Sequence, residues 1–272
     1  MYIPPIFTEE KRMHRFNHFK AQAIIFDKDG TLIDFDAMWG GWTIYLAEQL
    51  QRISDLNVRE ALCKAMGYDE SAKKVLADGM LASNPMSKLY RLTVEVMEKH
   101  GLGLQEAERV VEQGWCIPDP ILLAKPFTDT RALFASLHGK DIKIAIATAD
   151  DRAPTQAMIE AFDIEDYLSA LVCADDGIPS KPAPDMVLTL CERMKVPPAG
   201  VMVVGDTVSD LKMARASGAG MAVGVLSGVS SARDLSAHAN LLIESVDELH
   251  RYIQALGDVP TTHKGLNPDF AY

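Results

Sequence analysis

The chain has 272 residues and a formal net charge of −11, with no basic patch of the kind that nucleic acid or an anionic membrane surface requires. Hydrophobic residues make up 48% of it, enough for a sizeable core and too many for a disordered chain. Apolar runs stay well short of the ~18 residues that a membrane-spanning helix needs.

In chain order, residues 1–20 (MYIPPIFTEEKRMHRFNHFK) read as a polar N-terminal extension. They lack the apolar centre of a secretory signal, so the expected location is cytoplasmic. Ala23 to Phe26 is a short apolar run, predicted as a strand buried on both faces. From residue 35 to 117 the apolar spacing is three and four, in WTIYLAEQLQRI, NVREALCKAMG, PMSKLYRLTVEVMEKHG and LQEAERVVEQGW. That spacing predicts an all-helical insert with its own small core.

After Pro118 and Pro120 strands and helices alternate. TDTRALFASLHG reads as a helix capped by Thr128 or Asp129 and ending near Gly139. Strands are predicted at 142–149 (IKIAIATA), 170–174 (ALVCA), 201–206 (VMVVGD), and in MAVGVL and NLLIE. Helices are predicted in TQAMIEAF, DMVLTLCERMKV and SDLKMARASG, the last closed by Gly218. Such alternation makes a parallel sheet with helices on both faces. The fold class is therefore α/β, a doubly wound parallel sheet with a helical insert after its first strand. The core comprises residues 21–34 and 118–256, the insert 35–117, and a tail 257–272. Cys63, Cys116, Cys173 and Cys191 form no C-x-x-C pair or zinc-site spacing and are expected to be buried, reduced thiols.

Ligands of open parallel sheets bind beyond the carboxyl ends of the strands. There the sequence places Asp27 and Asp29, Thr148, and Asp206 with Asp210, while Lys181 falls in a strand-to-helix loop. A carboxylate ending a buried strand is costly unless a cation compensates it. Asp29 lies two residues beyond Asp27, so an extended backbone aims both to one side and leaves Lys28 pointing away. Gly30 permits a tight turn, and Asp-Gly is common in ordinary solvated turns as well. Asp210 suits a helix N-terminus without any function. Three acids converging at one sheet edge, however, suit a hard cation held by oxygens, most plausibly Mg²⁺. Lys181, between residues of SKPAPD, could neutralise a carboxylate and a phosphate oxygen together. Thr148 and the free N–H groups after it suit an anion.

These motifs resemble those of the haloacid dehalogenase superfamily, in its phosphatase branch. DKDGT is similar to the first motif, D-x-D-G-T. Thr148 after IAIA is similar to the second, Lys181 in SKPAPD to the third, and GDTVSD to the fourth. The resemblance implies an aspartyl-phosphate formed on Asp27. It implies a general acid and base in Asp29, and charge balance from Lys181. It implies Mg²⁺ held by the Asp27 side chain, the Asp29 backbone carbonyl and Asp206, with Asp210 at or just outside the ion. Thr148 and Ala149 would hold phosphate oxygens, Ala149 through its backbone, since TADD lacks the Asn that many relatives carry there. Asp29 separates the chain from metal-free dehalogenases, which lack it.

The insert would be the helical cap of that family, closing over the site. Phe35, Met38, Trp39 and Trp42 open it and read as cap core. The C-terminal AVGVLSGVSSARDL…ANLLIESVDEL is similar to phosphoglycolate phosphatase-like members. The function implied is a Mg²⁺-dependent phosphatase of a small phosphorylated metabolite, phosphoglycolate-like or a sugar phosphate. A phosphosugar mutase and a non-catalytic binding member are the alternatives. No nucleic-acid or membrane partner is expected, and the sequence leaves monomer and homodimer open.

Overall fold

The computed structural model describes residues 19–76, 79–84, 86–116 and 125–249. Most of the N-terminal extension, the punctuation at Pro118 and Pro120 and the 257–272 tail lie outside the described residues. β1 (Ala23–Phe26) is buried along its whole length. The helical insert follows. α1 (Phe35–Ser54) begins at Asp34, whose side chain accepts from the Ala37 N–H and satisfies a free first-turn donor.

Next come α2 (Arg59–Met66), a hairpin of β2 (Tyr68–Asp69) and β3 (Lys74–Val75), α3 (Met80–Ser83), α4 (Met86–Lys99) and α5 (Leu104–Gly114). Trp42, Leu46 and Leu50 recur one helical turn apart on α1 and pack against Leu62, Met97 and Val111 in a core separate from those of the sheet. The hairpin departs from the all-helical expectation, because strands of two residues are too short to show alternation. It is pinned by buried Asp36, which accepts the Val75 N–H at 2.7 Å and pairs with Lys74 Nζ at 2.7 Å. The insert leaves and rejoins the sheet at one place. Asp34 N donates to Lys125 O at 2.7 Å, and Phe127 N to Leu32 O at 3.1 Å.

The remainder alternates: α6 (Thr130–His138), β4 (Lys143–Ala147), α7 (Arg152–Ala161), β5 (Leu168–Val172), α8 (Asp185–Met194), β6 (Val201–Gly205), α9 (Val208–Ala216), β7 (Met221–Val225), α10 (Ala232–Ser236) and β8 (Leu241–Ile243). Asp129 caps α6 by accepting the Ala132 N–H. β5 begins two residues earlier than expected and stops at Val172, because Cys173 already caps the short 3-10 turn that follows. The six-stranded sheet runs β5-β4-β1-β6-β7-β8, and every pairing in it is parallel.

Alternate residues of β1 enter opposite cores, Ile24 and Phe26 on one face, Ala23 and Ile25 on the other. Both faces are therefore covered, as parallel sheets require. β1 sits between β4 and β6, where the strand order reverses, so the crevice opens at the carboxyl ends of these three strands. Cys63, Cys173 and Cys191 are buried as expected, whereas Cys116 is only partly so; all four are free thiols. No helix among the described residues is long and apolar enough to cross a membrane.

Candidate active site

The turn after β1 sets the site. Asp27 N donates to Val204 O at 2.8 Å, which carries the β1–β6 ladder one residue past the strand. The chain then reverses. Leu32 N and Ile33 N both donate to Lys28 O, and Gly30 N to Ile33 O. Gly30 takes φ +80°, a region open to glycine. A Cβ there would also lie 2.5 Å from Asp206 Oδ2. Gly228 presses on the same carboxylate from the loop after β7. These two glycines let backbone close around Asp206.

Three buried acids meet here. One ligand atom from each of Asp27, Asp206 and Asp210 lies within 4.8 Å of the others. Lys181, whose side chain is only 7% exposed, places Nζ 2.5 Å from Asp27 Oδ1 and 2.6 Å from Asp210 Oδ1. Asp210 is the third helical residue of α9 in a reciprocal cap. Its Oδ2 accepts from the Thr207 N–H and hydroxyl, while Thr207 Oγ1 accepts the Asp210 N–H. The cap holds the acid in place and leaves Oδ1 to the site.

Asp206 Oδ2 accepts the Val229 N–H at 2.9 Å, and its buried Oδ1 has no hydrogen-bond partner among the described residues. A buried carboxylate oxygen left unpaired is costly. Burial, with the charges of Asp27 and Asp210 added, raises the Asp206 carboxyl well above its ordinary value. Burial, partly offset by Lys181, pushes Asp27 up to about 7. Lys181 stays charged: burial opposes its charge, but Asp210 and Asp27 overturn that and hold it above its usual range. One ammonium cannot compensate three buried carboxylates, which is why two of them are pushed toward the neutral form, and one buried oxygen is left without a partner among the described residues. That donor set, all carboxylate oxygen, fits a hard divalent cation. The Asp29 carboxylate stands outside the three-acid cluster, and the resemblance assigned the ion its backbone carbonyl instead.

Thr148 N donates to Val172 O at 3.0 Å, and its buried Oγ1 accepts the Asp150 N–H at 3.1 Å. With that lone pair occupied, the hydroxyl proton is free to donate to an anion. Asp27, Asp29, Thr148, Ala149, Lys181, Asp206 and Asp210, all expected at the site, line one cleft of about 360 Å³.

Two expectations are corrected. Lys28 does not point away. The turn folds its side chain back, 2% exposed, to within 2.9 Å of both Asp29 Oδ1 and Asp150 Oδ2. Alternation of side chains holds only while the strand continues, and β1 has ended at Phe26. Burial opposes the Lys28 charge, but the two carboxylates prevail and raise its pKa. The opening aromatics of α1 also divide. Met38 and Trp42 are buried core, while Phe35 and Trp39 line the cleft with ring centroids 5.8 Å apart. Asp150, Thr207, Ser209 and Val229 complete the lining and were not singled out from the sequence. Only the density of acids in TADD hinted at Asp150.

A family model described as haloacid dehalogenase-like hydrolase matches residues 21–218. The chain belongs to that family. The chain is 32% identical over 124 residues to the phosphoglycolate phosphatase of Escherichia coli, covering 45% of this chain and 47% of that protein. The matched stretch thus spans about half of that relative's length. It is 24% identical over 200 residues to the phosphoglycolate phosphatase of Aquifex aeolicus, covering 72% of this chain and 81% of that one. Among solved structures, a protein of Thermotoga maritima provisionally named a beta-phosphoglucomutase superposes with TM-score 0.63 at 21% identity, over 88% of this chain and 99% of that one. That likeness concerns the fold.

Proposed function

We propose that this hydrolase is a Mg²⁺-dependent phosphatase of a small phosphorylated metabolite and works through an aspartyl-phosphate. The observation that carries the reading is the ion-paired Asp27 at the end of β1, sharing one cleft with a free-donor Thr148 and the acids Asp206 and Asp210. The relatives named phosphoglycolate phosphatase support the substrate class, a phosphoglycolate-like ester or a sugar phosphate.

Asp27, Asp206 and Asp210, with the Asp29 carbonyl, would hold Mg²⁺, which supplies charge stabilisation for the phosphoryl oxygens. An Asp27 carboxylate oxygen bonds to phosphorus as the bond from phosphorus to the ester oxygen breaks. Asp29 gives its proton to that departing oxygen. It then takes a proton from the water that attacks phosphorus, the bond to Asp27 breaks, and phosphate leaves. Thr148 and the Ala149 N–H orient two phosphate oxygens. Lys181 neutralises Asp27 in the free protein and phosphoryl charge during transfer, so the work is mainly positioning and charge stabilisation. Residues 35–117 act as a cap domain that brings Phe35 and Trp39 over the leaving group and excludes water.

The test is phosphate release from a panel that includes 2-phosphoglycolate and sugar phosphates, run with Mg²⁺, with EDTA and with Asp27→Asn. Metal-dependent release that the substitution abolishes is expected. Equal release by Asp27→Asn and wild type would remove Asp27 as the nucleophile.

A further inference from the structure

The phosphatase reading leaves unused a buried lysine that touches the site from behind. Lys28 does not line the cleft, yet its ammonium bridges two acids that do, Asp29 and Asp150, at 2.9 Å each. Its side chain is 2% exposed, whereas theirs are 24% and 36% exposed. A long, flexible, strongly hydrated side chain is seldom buried to this extent. The burial puts its charge behind the cleft wall, where low dielectric strengthens each contact.

Both ends of the bridge are anchored. On one side the Lys28 carbonyl is the acceptor on which the turn closes, from Leu32 N at 2.9 Å and Ile33 N at 3.2 Å. On the other, Asp150 is tied by three further bonds. Its carbonyl accepts Ala174 N at 2.9 Å, its Oδ1 accepts Asp151 N at 2.9 Å, and its N–H donates to Thr148 Oγ1 at 3.1 Å. Among the described residues the only hydrogen bond to the Asp29 carboxylate comes from Lys28. Without the bridge, Asp29 would be an acid on a turn, free to rotate.

We infer that Lys28 is a positioning residue: held by Asp150, it fixes Oδ1 of Asp29 and so presents Oδ2 to the leaving-group oxygen. The inference rests on the role proposed for Asp29. It also links the turn after β1 to the loop after β4, so the proton donor and the phosphate-binding Thr148 share one rigid strap. Orientation of a donor affects a reaction in proportion to how much the leaving group needs a proton. An alkoxide must be protonated as it departs, whereas 4-nitrophenolate leaves without help.

The test is kcat/KM, which covers the steps through departure of the leaving group, on 2-phosphoglycolate or another alkyl phosphate and on 4-nitrophenyl phosphate. Wild type, Lys28→Met, Asp150→Asn and the double variant are compared in Mg²⁺, with thermal melts to verify folding. Lys28→Met is expected to lose roughly 100-fold or more on the alkyl ester, the scale of a positioned acid, and only a few-fold on the aryl ester. Asp150→Asn is expected to move the same ratio in the same direction by less, and the double variant to fall no further than Lys28→Met, because the pair acts as one unit. Equal losses on both esters, or no loss on either, would overturn the inference while leaving the phosphatase intact. Wild type inert on every ester would instead overturn the phosphatase reading itself, and the inference with it. Should Lys28→Met fail to fold, the ester ratio of Asp150→Asn decides alone.

Discussion

Asp206 divides its two carboxylate oxygens between protein and site: Oδ2 accepts the Val229 N–H at 2.9 Å, while Oδ1 is buried with no hydrogen-bond partner among the described residues. The loop after β7 thus orients an acid whose second oxygen faces the other two carboxyl groups, the place proposed for Mg²⁺. Asp206→Asn keeps the shape and removes the charge. Mg²⁺ titrated into wild type is expected to raise the melting temperature and to give a calorimetric binding isotherm, and both responses should disappear in Asp206→Asn. Gly228→Ala, which drives a Cβ into the same carboxylate, should weaken the isotherm as well. An unchanged isotherm in Asp206→Asn would place the ion elsewhere.

The metal-free acids carry a pH signature. Burial, against the partial opposition of Lys181, pushes Asp27 up from its ordinary 3.8 to about 7. A carboxyl raised in the folded state favours folding most when both states are protonated, below about pH 3.8. That contribution is lost as pH rises through about 7. In EDTA, wild type should therefore lose stability relative to Asp27→Asn between these limits, and saturating Mg²⁺ should suppress the difference. Melting curves of the two proteins at each pH check it, and a gap that stays constant with pH would contradict it.

Lys181 compensates two buried carboxylates at once. Lys181→Met leaves both facing one another unpaired. Removing one partner of a buried ion pair costs about 3–5 kcal/mol, so a melting temperature lower by on the order of 10 °C is expected in EDTA above neutral pH. Turnover should fall roughly 100-fold or more even in Mg²⁺. Retained turnover would show that Lys181 serves stability alone.

Trp39 is placed to test the proposed cap. All three tryptophans of the chain stand in one row, Trp39 5.6 Å from Trp42 and Trp42 5.4 Å from Trp115. Only Trp39 lines the cleft. Orthovanadate with Mg²⁺, filling the phosphate position, is expected to shift the intrinsic emission in wild type and not in Trp39→Phe. Trp39→Leu should change the ratio of kcat/KM between a bulky and a compact phosphate ester by about tenfold or more. A ratio that does not move would make Trp39 a packing residue.

What the sequence by itself determined is the chemistry available and the architecture that gathers it. Short apolar runs separated by helices demand a parallel sheet, and a parallel sheet brings its strand ends to one edge. Asp27, Thr148 and Asp206 follow their strands directly, so their convergence was legible from spacing alone. Asp210 was legible as a helix-start acid, although the reciprocal cap with Thr207 that aims it was not. The tertiary structure alone decided what a turn does to neighbouring side chains. Lys28 was expected to face away because strands alternate, but the chain reverses one residue after Asp27 and folds it onto Asp29. The partner that keeps it there, Asp150, comes from the loop after β4, more than a hundred positions along. The same holds for Phe35 and Trp39 against Met38 and Trp42. Helical spacing separates one face from another, but which face meets the cleft depends on how α1 lies against the sheet. Periodicity records that a side chain is turned inward; only packing between distant elements decides which interior it enters.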